Sequence, residues 1–454
     1  MKNRLGLSLS LSLGLSLSAV ACTRVVDAVT KVEDCMPGST DPACAPAPWP
    51  TTGHGANSDP WLVTHNQVIT LMKPNVLVLN FDNGATSVDT MTAAQALKNA
   101  LATGSTFQGY QNPAAPEFLQ YQILPIVDLT NNNPNNPAPS TWTNPSSTLL
   151  PTTSTGQFDP TQLFLPEFAD FGFSDTSSSP PRPLSLCELF EKGLVNEVWI
   201  QDGELDLAGG PARRAPLYLE RKQKYDQRGN AIAGSFDECV GGGTPPITCL
   251  SDISCGVTVR MSHLDPVGGA GVGCDLEIRG WGIEGMWDAL PAFQADATAF
   301  LNQDFDTRFG VRFNAWPQIC DAMSADAKVP CVTYATPTRA NGTYPDGTPW
   351  TIDPFLQGCG SSQFPPNAIW RGDFDDTTSN VESRCEHFGL GDAPGGGDIY
   401  EMYPAATVTA QVSTYVGCGG DWQIYWRQSM PGYQNQAKAS DGSPMKNWWP
   451  MLFY

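Results

Sequence analysis

The chain has 454 residues, of which 46 are Asp or Glu and 25 are Lys or Arg, so its formal net charge is −21. Nucleic-acid phosphates need a basic face, so we expect no nucleic-acid partner for so acidic a chain. A hydrophobic fraction of 41%, combined with 43 Gly and 39 Pro, excludes a disordered protein and indicates a loop-rich globular one.

Residues 1–21 have the features of a secretory signal peptide: a basic start, an apolar stretch of Leu, Ser and Gly, and small residues before a cleavage point. Cys22 follows directly, which resembles a bacterial lipobox and implies that Cys22 carries lipid and anchors the exported chain to a membrane. Thr23 follows Cys22. By the same resemblance, an Asp at this position would favour the inner membrane, so Thr23 favours the outer membrane or the cell surface. The alternatives are an ordinary secreted protein and a transmembrane helix, for which the apolar stretch is short.

The cysteines support export. Without Cys22, 12 of the 13 cysteines remain, and an even number in an exported chain predicts up to six disulfides. Short Pro-containing loops favour the local pairs Cys35–Cys44 and Cys320–Cys331, while free buried thiols are the alternative. Residues 22–60 are predicted to be a lipidated N-terminus and a Pro-rich tether.

The folded core is predicted over residues 61–305. An apolar run at Asn75–Phe81 indicates a strand buried on both faces, and a helix is expected over Thr90–Ala102. A second strand, weakened by Pro125, is expected over Gln120–Leu129. Strand, helix and strand in this order predict an α/β fold with a mixed or partly parallel sheet and flanking helices.

Residues 130–183 form a long insertion, rich in Asn, Pro, Ser and Thr, which we interpret as a surface loop rather than a lid over the sheet. Further elements are predicted after it: a helix at Cys187–Leu194, strands at Val195–Ile200 and Gly256–Met261, and a helix over Glu284–Phe305.

Residues 306–454 are predicted to be a loop-rich, disulfide-braced region that can belong to the same domain. Val408–Val416 alternates like a strand. The apolar C-terminus, Asn447–Tyr454, is expected to dock into the core.

Carboxylates near strand ends are the candidates for chemistry. In open α/β sheets, ligands bind outside the carboxyl ends of the strands, where Asp82, Asp202 and Glu204 are expected. With Glu197, which lies inside a buried strand, and Glu284, such groups could catalyse glycoside hydrolysis or hold a divalent cation. The alternative is that the aspartates form turns.

A second acidic cluster, Asp373, Asp375 and Asp376, has oxygen ligands that suit calcium, although the EF-hand spacing is absent and a solvated turn is the alternative. His387 has acidic neighbours, and we expect it to be a surface or packing residue. The motifs of serine hydrolases, zinc proteases, P-loop enzymes and dinucleotide-binding domains are absent.

Several short motifs together resemble a family of secreted bacterial proteins whose function is not characterised. They are Asn80-Phe81-Asp82, Asn196–Ile200, Phe364–Ala368, Asp373–Asp375 and Val381–Ser383. Glu284 is what remains of the family's Asn-Tyr-Glu-Arg helix, and its Gly-His-Arg motif is absent. The resemblance implies export and an α/β core without implying a reaction.

Two functional hypotheses follow. The first is a lipid-anchored extracytoplasmic protein that binds a glycan or a protein ligand at the cell surface or has a structural role there. The second is a secreted hydrolase, with glycans as the candidate substrate and Glu197, Asp202 and Glu284 as catalytic residues. An enzyme should gather at least two of the four residues Asp82, Asp202, Glu204 and Glu284 in one pocket.

Overall fold

A parallel sheet organises this protein, for which the structure is a computed structural model. The structure describes residues 35–130, 168–201, 385–396, 420–438 and 444–453, together with shorter pieces between them. All of these residues belong to one compact unit, Glu33–Tyr454.

The described α-helices are α1 (Pro60–Thr64), α2 (Ser87–Gly104), α3 (Leu186–Glu191) and α4 (Gly420–Ser429). Short 3-10 helices lie at Pro42–Cys44 and Trp449–Phe453. The described strands are β1 (Ala47–Trp49), β2 (Ile69–Met72), β3 (Asn75–Asn80), β4 (Gln122–Ile123), β5 (Val127–Asp128), β6 (Ser174–Asp175), β7 (Arg182–Pro183), β8 (Glu197–Gln201), β9 (Tyr218–Leu219), β10 (Gln223–Tyr225), β11 (Ala231–Phe236), β12 (Val259–Leu264), β13 (Val332–Thr336), β14 (Arg339–Thr343), β15 (Pro349–Ile352), β16 (Glu382–Ser383) and β17 (Glu401–Met402).

Among the described residues, the largest sheet has six strands. Strand β3 pairs in parallel with β4 and β5 on one side and with β8 on the other. Strand β8 pairs in parallel with β12, whose other neighbour, β9, is antiparallel. Helix α2 connects β3 to β4, which confirms the predicted strand–helix–strand unit and the α/β class with a mixed, mostly parallel sheet. Pro125 lies in the gap between β4 and β5, as expected for a residue without a backbone N–H.

Successive side chains along β3 and β8 point to opposite faces of the sheet, so the core has two parts. Val76, Val78 and Trp199 belong to the cluster that contains α2 and the C-terminal segment. The side chains on the other face of the sheet belong to the cluster that contains α3. They are Leu77, Leu79, Val198 and Ile200. Burial on both faces explains why these strands are nearly continuous apolar runs.

Both long connections to the sheet contain a helix with a capping box. Thr86 accepts a hydrogen bond from the Asp89 backbone, and the Asp89 carboxylate accepts one in return, so α2 begins at a fixed position. Ser185 and Glu188 do the same for α3. Hydrogen bonding to Arg182, followed by the Ser185 backbone, lowers the pKa of Glu188 to about 2.

The predicted tether is wrong for residues 35–60, which belong to the folded core. Strand β1 pairs in parallel with β2, and the Trp49 side chain is fully buried. The Asn57 side chain donates to the backbone carbonyl of Asn196 at 2.8 Å. An extended Pro-rich segment can serve as an edge strand, and burial of Trp49 supplies the stabilisation that the composition did not reveal. The predicted Cys35–Cys44 disulfide is confirmed.

The interpretation of the insertion as a surface loop is wrong for its described end. Aromatic and aliphatic side chains there pack beneath the sheet in the α3 cluster: Leu163, Phe164, Phe168 and Phe171. The polar composition around these residues concealed their apolar contribution. Residues 134–162 lie outside the described residues.

The C-terminal segment docks into the core, as predicted. Trp448, Trp449, Leu452 and Phe453 are buried in the α2 cluster. Helix α4 lies against α2, where the Gln428 amide donates to the Thr103 carbonyl at 3.0 Å.

The remaining predictions for the C-terminal half are mostly untested. Cys385 is disulfide-bonded, as is Cys187, but the other cysteines of residues 306–454 lie outside the described residues, so the predicted disulfide bracing has no further support. The predicted helix Glu284–Phe305 also lies outside them. Within the predicted strand Val408–Val416, Ala410 is helical and the rest is not described.

Replacing Gly193 tests the close contact between the N-terminal segment and the turn before β8. Gly193 has φ +66°, and a Cβ there would lie 2.4 Å from the carbonyl carbon of Gly55. We expect Gly193→Ala to lower the free energy of unfolding by about 3 kcal/mol in chemical denaturation. Gly172→Ala is the matched control, because Gly172 has φ +82° with nothing within 4 Å, and should cost about 1 kcal/mol. Equal costs would contradict the contact.

Candidate functional site at the carboxyl edge of the sheet

The connections of the sheet reverse direction between β3 and β8. From β3 the chain passes through α2 to β4 and β5 on one side, and from there through α3 to β8 on the other side. The two helices lie in different core clusters, on opposite faces of the sheet. Such a reversal is a topological switch point, and ligands of open α/β sheets bind outside the carboxyl ends of the strands that flank it. The carboxyl ends of β3 and β8 are therefore the candidate site.

Two buried side-chain amides mark these ends. Asn80 and Gln201 are register partners at the ends of β3 and β8. By the alternation of side chains along a strand, they lie on the same face of the sheet as Val78 and Trp199. Asn80 is fully buried, and its amide is committed to the loop before α2. It donates to the Ala85 carbonyl at 3.3 Å and accepts from the Asp82 backbone at 3.0 Å.

The Gln201 amide oxygen is not committed in this way. Gln201 is 2% exposed, and its side-chain oxygen has no hydrogen-bond partner among the described residues. An unsatisfied buried polar group costs about 1–3 kcal/mol. Such a group next to a switch point is the kind of feature that a ligand can satisfy.

Aspartates at the same edge also shape its turns. Asp82 is partly exposed and accepts a hydrogen bond from the Gly84 backbone at 2.7 Å. Asp128, at the end of β5, accepts from the backbone and the hydroxyl of Thr130 at 3.0 and 2.7 Å. The turn-forming alternative therefore holds for Asp82, and Asp128, which the sequence did not single out, forms a similar turn. Both carboxylates lie at the edge where a ligand would bind.

Glu197 lies far from this edge. It is 2% exposed and accepts hydrogen bonds from the Tyr121 hydroxyl and, at 3.0 Å, from the Trp199 indole. Gln201 lies four residues further along β8, a distance of about 13 Å. Both oxygens of the Glu197 carboxylate are held by hydrogen bonds inside the core, at the opposite end of the strand from the candidate site. We therefore assign Glu197 a structural role and remove it from the candidate catalytic residues.

The other predicted site residues lie outside the described residues. They are Asp202, Glu204 and Glu284, the calcium candidates Asp373, Asp375 and Asp376, and the lipidation site Cys22. Within the described residues, no group of three or more His, Cys, Asp or Glu side chains could hold a metal ion. Calcium binding thus stays a prediction.

A second cluster of ionisable side chains surrounds His387. Its Nδ1 lies 2.5 Å from a carboxylate oxygen of Asp392, and its Nε2 lies 3.1 Å from one of Glu401. Burial alone would lower the pKa of His387, but the hydrogen bonds to the two carboxylates raise it above the ordinary value. Both ring nitrogens contact carboxylates, so His387 helps to hold this surface together, which agrees with the predicted packing role.

Glu386, which the sequence did not single out, lies beside this cluster. It is largely buried and accepts a hydrogen bond from the Gln111 amide at 2.6 Å. Burial raises the pKa of the Glu386 carboxyl. Gln111 is 275 residues away along the chain, so no local pattern could have revealed the pair.

The His387 cluster makes stability depend on pH. Since the folded-state pKa of His387 is raised, its stabilising contribution is complete below the unfolded value of about 6.5 and is lost as pH rises through the folded pKa. We expect thermal unfolding between pH 5 and 9 to show that His387→Gln lowers Tm most at the acidic end. A Tm difference that is constant across this range would contradict the carboxylate clamp.

Comparisons with protein-family models, curated proteins and solved structures found no match for this chain. Among the helices that the structure describes, none has both the length and the apolar character needed to cross a membrane. The case for a function therefore depends on the residues themselves.

Proposed function

We propose that this protein is an exported, lipid-anchored binding protein of the bacterial cell surface that takes an uncharged, hydroxyl-rich ligand, a glycan, at the carboxyl edge of its sheet. The observation that carries the proposal is the buried Gln201 amide, whose oxygen has no hydrogen-bond partner among the described residues. A ligand hydroxyl can donate to this oxygen and remove the desolvation cost.

Charge favours a neutral ligand over an anion. The chain has a formal net charge of −21, and the aspartates Asp82 and Asp128 lie at this edge. An anionic ligand would meet these carboxylates, whereas hydroxyl groups can donate to them. Amide and carboxylate groups at a switch point form a set that can orient a polyhydroxylated ligand through hydrogen bonds.

Support for export and anchoring comes from the sequence. Residues 1–21 have the pattern of a signal peptide, and Cys22 follows the cleavage point. The disulfide between Cys35 and Cys44 suits an oxidising compartment. The resemblance to a family of secreted bacterial proteins agrees with this location, and bracing of the C-terminal half by further disulfides belongs to the same proposal.

A hydrolase acting on glycans is the second candidate. It is favoured by the position of Asp82 and Asp128 at the ends of two paired strands, with Asp202 and Glu204 following a third in sequence. Hydrolysis would require two of these carboxylates to flank the scissile bond. An assay for reducing ends released from a bound glycan separates the two functions. Release would favour the hydrolase, and binding without release would favour the binding protein.

Gln201→Leu tests the binding site by separating stability from binding. Leucine removes the unsatisfied amide oxygen while keeping a similar volume, so we expect the free energy of unfolding to rise by about 1 kcal/mol. Binding of the intact protein to an array of neutral oligosaccharides should fall at least tenfold for every glycan that the unaltered protein retains.

Asn80→Leu is the matched control. Its amide has partners at both ends, so its loss should destabilise the protein by about 2 kcal/mol. Destabilisation by Gln201→Leu, or glycan retention unaffected by it, would contradict the proposed role of Gln201. An array on which the unaltered protein binds nothing would overturn the glycan proposal.

Cys22→Ser tests the anchor. In a Gram-negative host, the unaltered protein should fractionate with the outer membrane, and mass spectrometry of its mature N-terminus should show acylated Cys22. The variant should lose the acyl chains and leave the membrane fraction. An unmodified N-terminus in the unaltered protein would contradict lipidation, and a signal peptide cleaved at another residue would indicate ordinary secretion.

A further inference from the structure

A separate pocket of about 610 Å³ lies between the segment around β1 and the turn that follows α3. This turn precedes β8, so the pocket belongs to the amino end of that strand, away from the glycan site proposed above. The volume is within the range of small-molecule sites. The residues that carry its chemistry are Pro48, Pro50, Thr51, Thr52, Glu191 and Lys192.

The two walls of this pocket are fixed to each other. Gly193 and Gly55 approach so closely that neither wall can shift toward the other, since a Cβ on Gly193 would overlap the Gly55 carbonyl. The fully buried Asn196 donates to the Gly55 carbonyl and to the Asn57 side chain, at 2.9 Å in each case. Thr51 and His54 exchange two backbone hydrogen bonds, at 3.2 and 3.0 Å, and close the turn on the first wall. The pocket is therefore pre-formed, and binding would require little ordering of the protein.

The charges of this pocket are balanced, because one acidic and one basic side chain line it. Glu191 and Lys192 are exposed neighbours on one wall, and neither forms a salt bridge within the described residues. The other lining residues are uncharged. A ligand of one sign would meet one favourable and one unfavourable charge, whereas a zwitterion can satisfy both.

We propose that this pocket binds a short peptide with free termini. The peptide carboxylate pairs with the Lys192 ammonium, and the peptide ammonium pairs with the Glu191 carboxylate. The rings of Pro48 and Pro50 give an apolar wall for small side chains, and the hydroxyls of Thr51 and Thr52 can hydrogen-bond the peptide groups. This inference does not depend on the glycan proposal, because it uses different residues at the other end of β8.

Trialanine is the probe, titrated into the full-length protein by calorimetry or NMR. Lys192→Met should weaken trialanine binding about tenfold or more, without changing the affinity for trialanine amide, which lacks the carboxylate. Glu191→Gln should weaken trialanine binding similarly, without changing the affinity for N-acetyl-trialanine, which lacks the ammonium. Because both side chains are exposed, neither substitution should prevent folding.

Lys438→Met is the control, since Lys438 is exposed and does not line the pocket. It should leave every affinity unchanged. Absence of trialanine binding, equal binding of the doubly capped peptide, or equal effects of Lys192→Met and Lys438→Met would overturn the proposal. Gln201→Leu separates the two sites: it should leave trialanine binding unchanged even where it abolishes glycan binding.

Discussion

The parallel pairing of β3 with β8 is the constraint on which the structure depends. Five consecutive register pairs, from Val76 with Glu197 to Asn80 with Gln201, fix which side chains face each core. A shift by one residue would exchange the two faces and bring the polar end residues into the wrong core. The same pairing determines where the connections reverse, and therefore where a ligand site is expected. The N-terminal segment, the aromatic end of the insertion and the C-terminal tryptophans all pack on faces that this pair defines.

Strand β8 has a buried polar residue at each end, and the two differ in the hydrogen bonding of their side-chain oxygens. Glu197 accepts hydrogen bonds from Tyr121 and Trp199, as a buried carboxyl must if it is to be tolerated. Gln201 pairs in register with Asn80, whose amide is satisfied by the loop before α2, yet its own oxygen has no partner among the described residues. A satisfied polar group stabilises the fold, whereas an unsatisfied one at a switch point is better explained by a ligand. This contrast moves the candidate chemistry from Glu197 to the opposite end of the strand.

The sequence predicted what local patterns determine. Strand β3 and strand β8 are short apolar runs, and helices were predicted where α2 and α3 lie. Their first residues were not predicted, because the capping boxes Thr86-to-Asp89 and Ser185-to-Glu188 that set them were not recognised. The sequence did not predict that residues 35–60 join the fold, because the composition of a Pro-rich extended segment does not show whether Trp49 is buried or exposed. Nor could it bring together Gln111 and Glu386, whose contact depends on the tertiary fold. The carboxyl ends of the strands stay a prediction as a ligand site, and which polar group there lacks a partner is a property of packing alone.

The central claim is that the Gln201 amide receives a ligand at the carboxyl edge of the sheet. Its most direct test is NMR of the intact protein with ¹⁵N-labelled Gln and Asn side chains, recorded while a glycan retained on the array is added. The account predicts that the side-chain amide resonances of Gln201 shift and that its protons exchange more slowly with water, while those of Asn80 change little. Unchanged Gln201 resonances at saturating glycan would contradict it.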